Sequence, residues 1–275
     1  PEFWLLAPEV WVWHGDSPVL LRFATFDEAA VITVEPPANP NFTTQTLNVD
    51  ANSIYSLDLT TWLSQVENKP ANSILNFGFH ITSNSPITAY YEVNRYNNPD
   101  IFALKGSNAL GLDFVVPFQM FLNNGYTQST SSFDIVATED GTVVTITPQK
   151  PIIGHPANVT FSITLNEGQT WSGSATSVSA DQHPSGTTVT SNKPIAITMS
   201  DDSVNGTPYG GCADIIGDQI VPVNIVGTEY IAIKGNLNGP DKVFIVTTEP
   251  GTTVSLNGNV DTTLPAASSM YTHTL

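Results

Sequence analysis

The chain contains a single cysteine, Cys212, so no intrachain disulfide can form and no cystine framework holds the fold. Basic residues are scarce: 8 Lys and Arg stand against 25 Asp and Glu, a formal net charge of −17 at pH 7. That balance opposes sequence-independent binding to nucleic-acid phosphates and to anionic membrane surfaces. Charged residues make up only 12% of the chain and hydrophobic ones 40%, which excludes a disordered polar polypeptide. Long apolar runs are missing too. The longest, such as Phe114-Val115-Val116-Pro117-Phe118, are strand-sized and cannot span a bilayer. The chain opens Pro1-Glu2-Phe3-Trp4 with no basic n-region or extended apolar h-region, so any signal peptide or anchor is expected outside these residues. No HExxH, GxSxG, Walker A or GxGxxG pattern occurs.

What is present reads as strands. Val143-Val144-Thr145-Ile146-Thr147 and Phe161-Ser162-Ile163-Thr164-Leu165 alternate with the period of half-buried strands. Turn-forming residues separate such runs, as in Glu139-Asp140-Gly141, Asn166-Glu167-Gly168 and Asn257-Gly258. Helical spacing is nearly confined to residues 56–66, where Trp62, Leu63 and Val66 share a face, and 20 prolines with 19 glycines disfavour long helices. The expected class is all-β.

Internal repetition organises these strands. Ile135-Val136-Ala137-Thr138-Glu139-Asp140-Gly141-Thr142 recurs 110 residues later as Ile245-Val246-Thr247-Thr248-Glu249-Pro250-Gly251-Thr252. Glu2-Phe3-Trp4-Leu5 matches Asp113-Phe114-Val115-Val116 and Glu229-Tyr230-Ile231-Ala232, and Ile81-Thr82-Ser83-Asn84-Ser85-Pro86-Ile87 matches Val189-Thr190-Ser191-Asn192-Lys193-Pro194-Ile195. Several matches in one order predict tandem antiparallel β-sandwich-like repeats of about 110 residues, over 1–111, 112–226 and a partial third over 227–275. The alternative is three repeats closed into one pseudo-threefold β unit. In the second repeat the expected strands are 113–118, 133–138, 143–148, 161–165, 169–174, 187–190 and 195–200, with Ser191-Asn192-Lys193-Pro194 as a hairpin turn between the last two. The third repeat stops before its own Thr-Ser-Asn-x-Pro, so an open sheet edge is expected near Leu275, covered by another chain or by further repeats.

Two groups of residues carry candidate binding chemistry. Trp11-Val12-Trp13, read as a strand, puts both indoles on one face, where they would stack on sugar rings or pack against a protein; the competing reading has them cover a sandwich end. Asp201, Asp202 and Asn205, in a Gly-containing loop, offer hard oxygen ligands for calcium, although the same residue types are ordinary turn formers. No other metal or cofactor is expected. Most other acidic residues are expected on solvated strand faces and turns. Cys212 has no nearby base to lower its pKa, and His14-Gly15-Asp16-Ser17 are too close in sequence to aim at one another as a triad.

Glu2-Phe3-Trp4, residues 133–147, the Thr-Ser-Asn-x-Pro segments and Gly217-Asp218-Gln219-Ile220-Val221-Pro222-Val223 together resemble the N-terminal domain of the IgG-Fc-binding protein family. They also resemble related regions of large bacterial surface proteins that are exported by the type IX route and linked with adhesion or gliding. The resemblance covers nearly the whole chain and rests on strand and turn residues. It implies a non-catalytic extracellular binding or adhesion module of a secreted cell-surface protein, with a protein or glycan ligand, no nucleic-acid partner and no membrane insertion in this segment. Having only Cys212 separates this chain from the animal members and favours the bacterial branch. A structural spacer or filament segment recognised by a protein partner is the alternative, and a carbohydrate-active enzyme, which would need two carboxylates facing across a cleft, is the third reading.

Overall fold

A computed structural model describes residues 1–207, 211–235 and 239–275. The first strands are β1 (Glu2–Leu5), β2 (Val19–Thr25), β3 (Ala30–Glu35), β4 (Gln45–Val49), β5 (Ile54–Asp58), β6 (Phe79–Ser83), β7 (Ile87–Val93) and β8 (Asp100–Ala103). They form two antiparallel sheets, ordered β1-β6-β3-β4 and β5-β2-β7-β8. Alternation along β7, buried at Ile87, Ala89, Tyr91 and Val93, turns one face of its sheet into a core shared with Phe23, Ile32, Phe79 and Ile81.

The next strands are β9 (Gly111–Val115), β10 (Ser131–Ala137), β11 (Thr142–Thr147), β12 (Phe161–Leu165), β13 (Thr170–Ser174), β14 (Thr188–Asn205) and β15 (Ala213–Gln219). β14 belongs to both sheets of this second sandwich. Its first half lies between β9 and β11, with Val189 opposite Phe114 and Ile146; its second half lies between β10 and β15, with Thr198 opposite Asp134 and Gln219. The resulting orders, β9-β14-β11-β12 and β13-β10-β14-β15, trace the same path as the first sandwich, with β14 in place of β6 and β7. Phe133, Ile135, Ile146, Trp171 and Ile197 fill the core between them.

Ser191-Asn192-Lys193-Pro194 is therefore not a hairpin turn. The chain runs on through it and crosses from one sheet to the other. Asn192 Oδ1 accepts from the Val143 N–H at 2.8 Å, as Asn84 Oδ1 accepts from the Val31 N–H at 2.7 Å. Ser191 Oγ donates to the Lys193 carbonyl and Ser83 Oγ to the Ser85 carbonyl, at 2.7 and 2.8 Å. These bonds serve backbone groups near the point where the strand changes sheets. Replacing the exposed Asn192 by Ala is expected to cost about 1 kcal/mol, read as a fall in Tm of about 2–4 °C.

Three further differences from the expected pattern have physical causes. Residues 56–66 divide between β5 and a 3-10 turn over Thr60–Gln65, because the Asp58 carboxylate accepts the Thr60 N–H at 2.8 Å and ends the strand there. The polar edge strands β8 and β15 carry little apolar alternation and were not expected. β10 and β13 are buried on both faces, because the first sandwich packs on the outer face of the second.

That packing joins the two units. Trp4, Leu6, Ala109, Val136 and Ala196 make a separate apolar cluster between them. Asn68 Nδ2 donates to Asp134, Thr170 Oγ1 donates to Asn68 Oδ1, and Gln219 Nε2 donates to the Trp4 carbonyl at 2.7 Å. Beside them, β8 and β15 are stitched by side chains: Asp100 accepts the Gly217 N–H, and Asp218 accepts the Ala103 N–H and pairs with Lys105.

The last strands are β16 (Lys242–Val246), β17 (Thr252–Leu256), β18 (Asn259–Leu264) and β19 (Met270–Thr274), paired only as β16 with β19 and β17 with β18. Among the described residues no ladder between named strands links one unit to another.

Candidate functional site

Loops from both sandwiches meet at one end of the molecule. From the first come residues 6–18, between β1 and β2, and residues 94–99, between β7 and β8. From the second come residues 116–130, between β9 and β10, and the last residues of β14. Trp11 does not lie on a strand. Its carbonyl accepts from the N–H groups of His14 and Gly15 at 2.9 and 3.2 Å, closing a turn that separates the two indoles. Trp13 is left 84% exposed, while Trp11 packs on Tyr126 of the second sandwich with ring centroids 4.5 Å apart.

Gly15 sets the neighbouring loop. It has φ +111°, and a Cβ there would meet Arg95 Cγ at 2.4 Å, so the close approach of the 94–98 loop requires glycine. The buried Asn98 donates to the Gly15 carbonyl and accepts the Ile215 N–H, and Tyr96 on the same loop is 95% exposed. The end surface thus presents Val12, Trp13, Tyr96 and the partly exposed Tyr126.

Beneath these loops lies a buried polar floor. Asp201 and Asp202 are in β14, where successive side chains face opposite ways, and not in a Gly-containing loop. Asp201, fully buried, accepts from Gln119 Nε2, Asn124 Nδ2 and Ser131 Oγ at 2.9, 2.8 and 2.7 Å, with His183 Nδ1 at 3.4 Å. Asp202 accepts the Trp11 N–H at 2.8 Å and the Ser203 hydroxyl at 3.1 Å. Burial raises the Asp202 pKa, and the Trp11 N–H opposes the shift. Asn205 Oδ1 accepts the Thr207 N–H, ending the strand. The three residues read as calcium ligands thus turn their oxygens toward protein donors, and no group of three or more His, Cys, Asp or Glu suited to a metal gathers among the described residues.

A family model described as IgGFc binding protein matches residues 100–274. The chain belongs to that family. Its match takes in the second sandwich and the strands after it, whereas the resemblance read from the sequence extended to residue 2. No curated protein matches this chain. Among solved structures, a Bacteroides uniformis β-glucuronidase aligns over 91% of it at 11% identity with a TM-score of 0.18, and the chain spans only 27% of that enzyme's chain. A likeness so slight carries no argument about fold or activity.

In this IgGFc-binding family member the acidic residues at the junction of the sandwiches hold backbone and polar side chains in place. Glu67 accepts the Val10 N–H at 3.1 Å and pairs with Lys69; burial pushes its pKa up to about 7. Asp134, wholly buried, accepts from Ser132 and Asn68, and burial raises it to about 6. With Asp16, Asp201 and Asp202 these depart from the solvated placement expected for acidic residues. Tyr91 points a buried hydroxyl without a hydrogen-bond partner into the same region, and its pKa is raised by burial and by the charges of Glu67 and Asp16.

A groove of about 450 Å³ opens beside this junction, lined by Glu9, Lys69, Pro70, Thr130, Ile153 and Ser174. Glu9 is its one carboxylate, and a second groove around Asn41, Gln65 and Asn76 has none. Neither provides the facing pair that glycoside hydrolysis needs. Cys212 is exposed, and no helix among the described residues is long and apolar enough to cross a membrane. The sequence signalled Trp11 and Trp13. It missed Tyr96 and Tyr126, which no spacing connects to them, and it missed that Asp202 holds the tryptophan turn.

Proposed function

We propose that this chain is a protein-binding module that docks its ligand on the aromatic loop end formed by Trp13, Tyr96 and Tyr126. The observation that carries the reading is the contrast between tips and roots: Trp13 and Tyr96 are 84% and 95% exposed, while the loops bearing them are bonded to buried Asp202 and Asn98. Large aromatic side chains on loops ordered in advance are what protein interfaces use as anchors, because little entropy is lost on contact. The family description supports a protein ligand, and the Fc portion of IgG is the first one to test. An extracellular, cell-surface placement belongs to the same reading, as does the adhesin context with type IX export or gliding. The proposed boundaries are the complete units 1–111 and 112–226 and the partial unit 227–275.

The test is surface plasmon resonance with immobilised human IgG Fc, alongside a glycan array. Trp13→Ala with Tyr96→Ala is expected to weaken Fc binding at least 10-fold while leaving Tm within about 1 °C, since both side chains are exposed. Equal binding by the wild type and the double variant, or loss confined to the glycan array, would overturn the assignment.

A further inference from the structure

The groove of about 450 Å³ at the junction takes its walls from both sandwiches: Glu9, Lys69 and Pro70 from the first, Thr130, Ile153 and Ser174 from the second. Three hydrogen bonds tie it to the aromatic loop end. The Thr130 carbonyl accepts the Asp202 N–H at 3.1 Å, Asp202 holds the Trp11 N–H at 2.8 Å, and Glu67 holds the N–H of Val10, next to Glu9, at 3.1 Å. Among the described residues lining the groove Lys69 is the one cation, and its ammonium is already paired with the buried Glu67. Glu9 is half-buried and, among the described residues, accepts no hydrogen bond and makes no ion pair. Burial raises its pKa, and the charge of Lys69 opposes the shift. Glu9, Asp16 and Glu67 all act on that ammonium and Glu9 acts on Asp134, so carboxyl groups outnumber it four to one. Two buried hydroxyls nearby also lack a hydrogen-bond partner: Ser129, beside Thr130 in sequence, and Ser200, which shares a sheet face with Ser174 through Ser132.

We propose that this groove is the subsite that holds an arginine side chain of the protein ligand, with Glu9 as its counter-ion. The assignment rests on the reading of the loop end as a protein-binding surface, and it names one group that the ligand must carry. A carboxylate drawn partly out of water with no donor is costly, and an incoming cation removes that cost. A guanidinium fits better than an ammonium. Its planar fork presents five donors, enough for both Glu9 oxygens and for the hydroxyls of Thr130 and Ser174, and it is the more weakly hydrated cation. Its aliphatic stem has an apolar wall to lie on, formed by Pro70 and by Ile153, which is 41% exposed. The net charge of −17 favours a basic partner over an acidic one. The second groove, around Asn41, Gln65 and Asn76, has no charged residue in its lining and offers no such counter-ion.

The test titrates N-acetyl-arginine amide, which carries the side chain without terminal charges, into the full chain at pH 8 and follows backbone amides by NMR. The amides of Glu9, Lys69, Thr130 and Ser174 are expected to shift together and to saturate at millimolar probe, the affinity that a single side chain supplies. N-acetyl-citrulline amide, equal in shape but uncharged, should move none of them. Glu9→Gln keeps the shape and breaks no hydrogen bond, so it should fold, as its remaining amide spectrum will report, and bind the arginine probe about 10-fold more weakly. The chain with Trp13→Ala and Tyr96→Ala should bind the probe as the wild type does, so failure of the loop-end reading and failure of this subsite are told apart. Equal shifts with the citrulline probe, or an unchanged affinity in Glu9→Gln, overturn the proposal. So does an arginine titration that moves no amide of the groove.

Discussion

Raising the pH from 5 to 8 is expected to lower the Tm by about 10 °C in differential scanning calorimetry. Glu67 and Asp134 hold their protons in the folded chain up to pH values of about 7 and about 6, whereas the unfolded chain releases them near 4. Between those values the folded state binds more protons than the unfolded state, so stability falls as pH rises. The fall is complete once both folded carboxyls have ionised, near pH 8, about one unit above the higher of the two values. Between pH 5 and 8 the two together contribute about 4 kcal/mol, which for a chain of this size corresponds to the stated shift. Glu67→Gln keeps an oxygen for the Val10 N–H and removes the ionisation, so more than half of the dependence should vanish with it. A Tm that stays flat from pH 5 to 8 would mean that these carboxyls are already ionised in the folded protein.

Asp201→Ala is the most damaging single change expected in the polar floor. It removes one acceptor each from Asn124, Ser131 and Gln119, and leaves the buried Asn124 and Ser131 without their charged partner. Removing one partner from such a network costs about 3–5 kcal/mol, or roughly 10 °C in Tm. Asp201→Asn, which keeps the shape and one carbonyl oxygen, should lose less than half of that. The same experiment addresses calcium. With the carboxylate oxygens engaged by N–H and O–H donors, neither EDTA nor millimolar calcium should move the wild-type Tm. A rise of several degrees with calcium would show that the cation competes for these oxygens.

Both expectations place stability in the buried polar groups that lie under the proposed loop end. Trp13 and Tyr96 stay exposed because buried Asp202 and Asn98 keep their loops in place without using the aromatic tips. The Asp-rich run that resembles a cation loop is instead the inner end of the strand shared by both sheets.

Much of this architecture was legible in the residues. Period-2 alternation located β11 and β12 closely, since one face of each meets a core and the other meets water, and turn chemistry placed their ends. The 110-residue recurrence carried the repeated strand path, because equal strands joined by equal turns fold alike. Local pattern could not distinguish a hairpin from a sheet-changing strand at Ser191-Asn192-Lys193-Pro194: both need residues that satisfy their own backbone groups. Nor could it find β8 and β15, whose partners across the junction are side chains distant in sequence.

By itself, then, the sequence determined the all-β class, the recurrence of strand and turn segments and the family, all consequences of spacings along one chain. Only the tertiary structure decided which faces of β10 are dry, that Asp134 and Asp201 are buried, and that Trp13, Tyr96 and Tyr126 come to one end. Those outcomes depend on how two sandwiches pack side by side. Residues far apart in sequence share that surface, so no periodicity along the chain encodes it.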